Sequence, residues 1–410
     1  MSHQIERICL SVNSVCNLAC SYCYFFAVPD ALPGPKALSS EEIETVLGCA
    51  HRYSQRPEVH KRIKINFVGS GEPLLSWDAI HTALVRFQSA TPTHRLRFYT
   101  VTNGVLLNDR IAAEMREVGL TPSVSLDGPK DLHDHYRKKH GGQGSFHQVL
   151  RGIEVLRAAG FSVAINTVLT RELLRKLPEF FSFAQEHQLQ KIIFDRLVDV
   201  PADQNPLTYA EFYRALRYIA ELAEAMELSS LEIGNLEAYR RAIHGQADRV
   251  CTMFGSTCGA GLDNLMYMQR DVYPCGRMFH QERWHLGRFD EELERFPVRM
   301  QERLVSSRAG ALRVAGEGKA GPDCIIEQER EDYDPRAREE FVAWFSEWER
   351  RNRKQRSNGH LLLPAWEDDE QPDIQDTNSI EGQALRSAEL IHPLRLTQPM
   401  RNPSSGNTSL

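Results

Sequence analysis

Three cysteines crowd into one short segment near the start of the chain, at Cys16, Cys20 and Cys23. Gaps of three and two residues put three thiolates in one loop, where they can hold a four-iron cluster and leave one iron without a protein ligand. Catalytic metal sites keep such an open position because a substrate or cofactor must bind there. A zinc site completed by a distant histidine, such as His51 or His60, is the alternative.

The residues around these cysteines are themselves distinctive. The segment Cys-Asn-Leu-Ala-Cys-Ser-Tyr-Cys-Tyr, which ends at Tyr24, resembles the signature of the radical S-adenosylmethionine (SAM) superfamily. The resemblance implies a [4Fe-4S] cluster whose electron breaks the sulfonium bond of SAM. The resulting 5′-deoxyadenosyl radical then abstracts hydrogen from a substrate. It also implies that Tyr22 lies against the adenine ring.

Three further motifs support the same resemblance. Ser70-Gly71-Glu72-Pro73 resembles the glycine-glycine-glutamate-proline turn that receives the methionine amino group, with a serine in place of the first glycine. Thr102-Asn103-Gly104 matches a turn found after a later strand. The stretch from Ser125 to Arg137 resembles one in which the serine contacts the cofactor. The resemblance therefore implies SAM contacts at Tyr22, Ser70, Gly71, Glu72, Asn103, Ser125 and Arg137.

A second group of cysteines, Cys251, Cys258, Cys275 and Cys324, is too widely spaced for a simple zinc ribbon. The run that ends in Tyr-Pro-Cys275 predicts a hairpin. This region resembles the auxiliary-cluster domain of the SPASM/Twitch branch, which includes anaerobic sulfatase maturases and peptide maturases. The cysteine-dense run of a full SPASM domain is missing. The resemblance thus implies one auxiliary [4Fe-4S] cluster, with Cys324 as its fourth ligand or with an open iron if Cys324 does not bind.

One departure bears on the substrate. Sulfatase maturases place an aspartate directly after the Tyr-Pro-Cys segment, where it acts as a base, but this chain has Gly276. A glycine cannot accept a proton, which argues against a sulfatase-maturing role. Asp127, Asp195 and Arg196 fall at predicted strand ends. We expect them to form ion pairs or cofactor contacts rather than to act as catalytic bases.

Strand and helix patterns alternate through the first half of the chain, which favours a parallel α/β sheet, curved or closed into a barrel. The chemistry of such sheets lies at the carboxyl ends of the strands, where the motifs fall. Together with this pattern, the resemblance implies a partial (β/α)6 radical SAM barrel with a C-terminal Twitch/SPASM-like auxiliary Fe–S domain. The predicted divisions are a catalytic domain at 1–220, an auxiliary domain at 221–335, a helix at 336–356 and a disordered tail at 357–410.

Composition sets broad limits on the environment. A net charge of -6 over 410 residues gives no basic footprint for nucleic acid. Neither a membrane-spanning apolar stretch nor a signal peptide is present, so we expect a cytoplasmic protein. Clustered cysteines in that reducing compartment indicate metal binding rather than disulfides. The isolated Cys9 and Cys49 are predicted to be core residues.

The resemblance to the SPASM/Twitch branch implies a radical SAM enzyme, an oxidoreductase or maturase that modifies a peptide or protein by a cross-link, a thioether or residue oxidation. A small-molecule radical dehydrogenase and a sulfatase-maturase-like enzyme are the alternatives, and an electron-transfer scaffold would not need Glu72, Asn103 and Ser125. Expected partners are the peptide or protein substrate and a reductant such as flavodoxin or ferredoxin. Since no peptide-binding domain precedes Arg7, leader recognition would need a separate protein or the C-terminal half.

Overall fold

Six parallel strands, each paired with the next along the chain, form the central sheet of the computed structural model. Odd and even residues face opposite sides: in Ile63–Val68 every second side chain is buried, and those between them are partly exposed. This alternation is the period of a β-strand with two different faces. The strands are β1 (Arg7–Ser11), β2 (Ile63–Val68), β3 (Leu96–Thr102), β4 (Leu120–Ser125), β5 (Ala164–Leu169) and β6 (Lys191–Arg196).

The structure describes residues 3–27, 37–200, 204–228, 230–246, 249–251, 256–315, 323–331 and 333–355. All of them belong to one compact unit, Met1–Trp366. The predicted tail at 357–410 lies outside the described residues, and the other predicted domain boundaries remain predictions. Within the described part of the chain, no helix is both long enough and apolar enough to cross a bilayer.

Helices connect the strands and cover the outer face of the sheet. Two of them begin with a capping box, in which the side chains of Ser39 and Glu42, and of Thr208 and Glu211, satisfy free backbone N–H groups. The helices of this half are α1 (Tyr24–Ala27), α2 (Ser40–Ser54), α3 (Trp77–Ala90), α4 (Asp109–Glu117), α5 (Lys130–Tyr136), α6 (Phe146–Ala158), α7 (Arg171–Arg175), α8 (Leu177–Glu186), α9 (Tyr209–Ala225) and α10 (Gly234–Ile243).

The pattern from Leu173 to His187 predicts one helix, and the structure divides it in two at Lys176. Pro178 has no N–H to donate to the carbonyl of Leu174, so the helical ladder is interrupted there. Strand β4 begins at Leu120, whereas the sequence pattern predicts a strand from Ser123 to Leu126. The parallel α/β fold expected from the alternation of strands and helices is confirmed.

The second half of the chain extends this sheet at both edges. Strand β10 pairs in parallel with β1, and β11 and β12 follow antiparallel, while β7 pairs with β6 at the other edge. Because β1 and β6 pair with these strands and not with each other, the barrel stays open. The remaining elements are β7 (Glu232–Ile233), β8 (Arg249–Val250), β9 (Thr257–Cys258), β10 (Asn264–Met268), β11 (Asp271–Tyr273), β12 (Gly287–Arg288), α11 (Arg295–Val305), α12 (Arg308–Ala315), α13 (Ile325–Gln328) and α14 (Arg336–Gln355).

Candidate active site

A cavity of about 2490 Å³ runs along the inner face of the barrel, from the amino ends of the strands to the turns at their carboxyl ends. The side chains that line it come from all six barrel strands and from the second half of the chain. Both cysteine groups of the sequence reach it, and so does one further thiol. The cysteines of the lining are Cys9, Cys16, Cys20, Cys23, Cys251, Cys258, Cys275 and Cys324.

The loop that carries the first cysteine group is braced along one side by the segment after α5. The N–H of Ala19 donates to Lys138 O at 2.7 Å, and the N–H of Ser21 donates to Tyr136 O at 3.0 Å. The thiol sulfur of Cys16 accepts a backbone N–H from Leu18 at 3.4 Å. Backbone bonds therefore fix the loop, and its thiols stay available to the cavity.

The Ser70-Gly71-Glu72-Pro73 turn braces the loop from the other side. The N–H groups of Gly71 and Glu72 donate to Asn13 O and Val15 O, at 3.2 and 2.7 Å. A Cβ on Gly71 would come within 2.0 Å of Val15 O, so only glycine fits this close approach. The Ser70 hydroxyl is buried and lies within hydrogen-bonding distance of the Ser11 hydroxyl and Asn13 O. The Ser70 hydroxyl therefore already has hydrogen-bond partners within the protein.

Glu72 is a buried carboxylate with three protein donors. It accepts hydrogen bonds from the N–H of Leu74 at 3.0 Å, the hydroxyl of Thr102 at 2.6 Å and the N–H of Asn103 at 2.7 Å. Burial raises the pKa of Glu72, and these donors act against that rise. The carboxylate therefore joins the turn after β2 to the turn after β3.

Asn103 links that second turn to the first cysteine group. Its side-chain N–H group donates to Asn17 Oδ1 at 2.8 Å and lies 3.8 Å from the sulfur of Cys16. Two of the separate sequence motifs thus touch, as expected from strand ends that share one edge of a sheet.

Tyr22 and Arg137 form a buried polar cluster with Asp127. The Arg137 guanidinium donates to the Tyr22 hydroxyl at 2.6 Å, and the same hydroxyl donates to Asp127. Asp127 also lies 3.6 Å from Arg137 and accepts the N–H of Val168 at 3.0 Å. Asp127 is therefore part of an ion pair, as the sequence suggested. Ser125, at the end of β4, lines the cavity beside this cluster.

In the second cysteine group, the thiol of Cys258 lies close enough to Cys275 and to Cys324 to raise the pKa of both. Burial is the larger cause, and it raises the pKa of Cys275 to about 11 and that of Cys324 to about 12. Cys275 follows the β10–β11 hairpin, as the sequence predicts. Beside it, Arg277 pairs with Asp199 and donates to Glu327 Oε1 at 3.0 Å.

The sequence model of the Radical SAM superfamily matches residues 10–184, which run from β1 into α8. Residues 10–184 form a radical SAM domain. Members of this family use a [4Fe-4S] cluster and SAM.

Two curated relatives and one solved structure illustrate what the chain is similar to. AdoMet-dependent heme synthase of Oleidesulfovibrio alaskensis is 34% identical over 43% of this chain and 42% of its own length. The cysteine-type anaerobic sulfatase-maturating enzyme of Clostridium novyi is 22% identical over 68% of this chain and 75% of its own. The structure of native anSMEcpe with bound AdoMet and Cp18Cys peptide has a TM-score of 0.65 at 18% identity, over 85% of this chain and 98% of that one.

These matches differ in how much they cover. The chain spans less than half of the length of the heme synthase, so that likeness concerns the radical SAM domain alone. The match to anSMEcpe extends well beyond that domain, and at 18% identity it concerns the fold.

The donor set of the first cysteine group fits a four-iron cluster. Among the described residues, no group of three or more His, Cys, Asp or Glu side chains is arranged so that it could hold a single metal ion. A cluster is larger than one ion and takes its thiolates at separate corners. The three thiols of the radical SAM domain belong to one loop and line one cavity, and none of the nine cysteines is in a disulfide. The histidines considered for a zinc site, His51 and His60, are not among the residues that line it.

Sequence reasoning missed one feature of this lining. Cys9 was expected in the core with Cys49; Cys49 is buried, but Cys9 is partly exposed to the cavity. Ile8 and Leu10 take the buried face of β1 and Cys9 takes the other. The period of two along the strand was the signal that could have found it.

Proposed function

We propose that the chain is a radical SAM enzyme that cleaves SAM reductively and uses the 5′-deoxyadenosyl radical to modify a peptide or protein. The observation that carries the proposal is the presence of both cysteine groups in the wall of one cavity inside the barrel. When bound, a four-iron cluster at the first group supplies the electron that splits SAM. In this proposal the cluster ligands are Cys16, Cys20 and Cys23.

The residues of the two turns would hold SAM beside that cluster. Gly71 and Asn103 lie directly against the cysteine loop, and Glu72 fixes their relative position through its three hydrogen bonds. Tyr22 and Arg137 would lie beside the adenine of the bound SAM, and Ser125 would lie next to them. Ser70 has its hydroxyl engaged by Ser11 and Asn13, so we assign it a positioning role at the base of the turn.

We further propose that Cys251, Cys258, Cys275 and Cys324 hold one auxiliary [4Fe-4S] cluster. Four thiols on separate segments that line the same cavity are the donor set such a cluster takes. Iron analysis tests this assignment: about eight irons per reconstituted chain support two clusters. A count of about four irons per chain would contradict the auxiliary cluster.

A peptide or protein substrate is favoured by the overall fold and by the substrates of proteins that share it. The relative from Clostridium novyi is a sulfatase-maturating enzyme, and the solved anSMEcpe structure holds a peptide. A reductant such as flavodoxin or ferredoxin, a separate leader-recognition protein and a cytoplasmic location complete the proposal.

The second candidate is a small-molecule radical enzyme. This candidate is favoured by the likeness of the radical SAM domain to an AdoMet-dependent heme synthase, which is 34% identical over that part of the chain. A sulfatase-maturase-like role remains the third, although Gly276 stands where those enzymes carry their aspartate.

Deuterium transfer decides between these candidates. The anaerobically reconstituted protein would be incubated with SAM, a strong reductant and deuterated synthetic peptides, including any that neighbouring genes encode. A peptide substrate passes its deuterium to 5′-deoxyadenosine and changes in mass. If 5′-deoxyadenosine forms but gains deuterium only from a small molecule, the peptide proposal fails.

A further inference from the structure

We propose that Asp195 accepts the proton that the substrate loses when it is oxidised in this cavity. The inference rests on the proposed radical function. It names a catalytic residue that the motifs do not identify, in a chain with no side chain at position 276 to do that work.

The position of Asp195 follows from the pleat of β6. Ile192 and Phe194 are fully buried on one face of the strand, and Lys191, Ile193 and Asp195 line the cavity from the other. In the sheet register Asp195 pairs with Val168 near the carboxyl end of the strand. It therefore lies at the end of the barrel where the SAM-side turns also lie.

Asp195 differs from the other carboxylates of this region in having an unused acceptor. Among the described residues, its buried Oδ1 has no hydrogen-bond partner and its carboxylate forms no ion pair. Glu72 already accepts three hydrogen bonds, and Asp127 is held by Tyr22 and Arg137. A buried carboxylate oxygen without a donor is costly unless a ligand supplies one.

The neighbouring side chain indicates which chemical group would supply that donor. Asn166 on β5 lines the cavity, and its Oδ1 is likewise buried without a partner. Two unpartnered acceptors on adjacent strands fit an occupant that carries N–H or O–H groups. A substrate carbon that bears such a group is the kind that radical oxidation converts to a double bond.

The ionisation of Asp195 suits a proton acceptor near neutral pH. Burial is the main cause that raises its pKa to about 7, repulsion from Asp127 adds to it, and a hydrogen bond from the side chain of Asn166 to the carboxylate acts in the opposite direction. General bases work best when their pKa lies near the operating pH. Asp127 is the charged group that acts on Asp195 across the strand ends.

The step balances as a two-electron oxidation. The 5′-deoxyadenosyl radical removes one hydrogen atom from the substrate carbon. The adjacent N–H or O–H then loses its proton to Asp195 Oδ1 and one electron to an oxidised four-iron cluster, for which the second cysteine group is the proposed ligand set. A carbon–nitrogen or carbon–oxygen double bond forms.

The test compares Asp195→Asn and Asp195→Glu with Asp131→Asn, a control at an exposed carboxylate that pairs with Lys176. We expect Asp195→Asn to lower the ratio of oxidised product to 5′-deoxyadenosine by about 100-fold or more, the usual contribution of a general base. Asp195→Glu should recover part of the ratio and Asp131→Asn should leave it unchanged. If Asp195→Asn leaves the ratio of oxidised product to 5′-deoxyadenosine unchanged, the inference is overturned. The same holds if the variant loses product only in proportion to its loss of SAM cleavage.

A second readout does not depend on turnover. Infrared difference spectra between about pH 5 and about pH 9 should show one carboxyl group that titrates near neutrality and that Asp195→Asn removes. If the same band persists in Asp195→Asn, the assignment is wrong. A wild-type protein that shows the band and cleaves SAM, but transfers no deuterium from any peptide, would instead refute the proposed function.

Discussion

The hydroxyl of Tyr24 lies 3.1 Å from the point that a Cβ on residue 276 would occupy. Tyr24 directly follows the third cysteine of the radical SAM motif, and Gly276 directly follows Cys275 of the second group. The absence of a side chain at 276 therefore makes room for a phenol from the opposite cysteine loop. A Cβ at position 276 would thus be in tight contact with the Tyr24 hydroxyl, and Gly276 also departs from the sulfatase-maturase pattern.

The first prediction concerns this contact. Gly276→Ala should destabilise the protein by about 1 kcal/mol or more, because the methyl group crowds the Tyr24 hydroxyl. In a Tyr24→Phe background the same change should cost about 1 kcal/mol less, since the crowded oxygen is gone. Denaturant unfolding of the four proteins of this cycle measures the difference. Equal costs in both backgrounds would show that the two residues are not coupled.

The second prediction concerns Glu72. Glu72→Ala removes the acceptor of two buried backbone N–H groups and of the Thr102 hydroxyl. Each unsatisfied buried group costs about 1–3 kcal/mol, so we expect a large loss of stability together with a loss of SAM binding. Glu72→Gln keeps an acceptor oxygen and should lose less of both. Equilibrium dialysis with labelled SAM and denaturant unfolding are the measurements, and near wild-type behaviour of Glu72→Ala would contradict the account.

The third prediction concerns the link between the barrel and the second cysteine group. Glu327 accepts hydrogen bonds from Arg196 of β6 and from Arg277, and all three side chains are buried. Glu327→Gln should cost about 3–5 kcal/mol, because two guanidinium groups lose their shared charge partner in a buried site. Glu292→Gln, which removes the exposed partner of Arg52, is the matched control and should change little. Similar losses in both variants would argue against a special role for the buried pair.

The fourth prediction concerns pH. The pKa of Asp195 is raised by burial from an ordinary 3.8 to about 7, so the folded state favours the protonated acid. The stability that this group contributes is complete below about pH 4 and is lost as the pH rises through about 7. Asp195→Asn stays neutral, so its Tm should exceed that of the wild type by about 2–4 °C or more at about pH 8 and converge with it in acid. A Tm difference that does not vary with pH would contradict the raised pKa.

Much of the barrel was predictable because its signals are local. The bounds of β2 and β6 follow directly from runs of apolar and β-branched residues with a period of two. The prediction of one continuous helix from Leu173 to His187 was wrong, because Pro178 interrupts the backbone hydrogen bonds of the helix despite the continuous apolar pattern. The motifs at the strand ends could be placed together because parallel strands share one edge.

The pairing of β10 with β1 was beyond local reasoning. Leu265 lies opposite Ile8 although more than 250 residues separate them, and no period or turn residue in either strand specifies the partner. The same holds for the contact of Tyr24 with position 276. Asp195 was correctly placed at a strand end, but only the structure distinguishes its unpartnered oxygen from the ion-paired Asp127 and Arg196.

The most direct test of the central claim is the formation of 5′-deoxyadenosine. Wild-type protein, reconstituted anaerobically and supplied with SAM and a strong reductant, should produce it. The Cys16→Ala, Cys20→Ala, Cys23→Ala triple variant should produce none, and Cys258→Ala with Cys275→Ala should reduce cleavage without abolishing it. If the wild type forms no 5′-deoxyadenosine, or if the triple variant forms as much as the wild type, the cysteine loop is not the site of SAM cleavage.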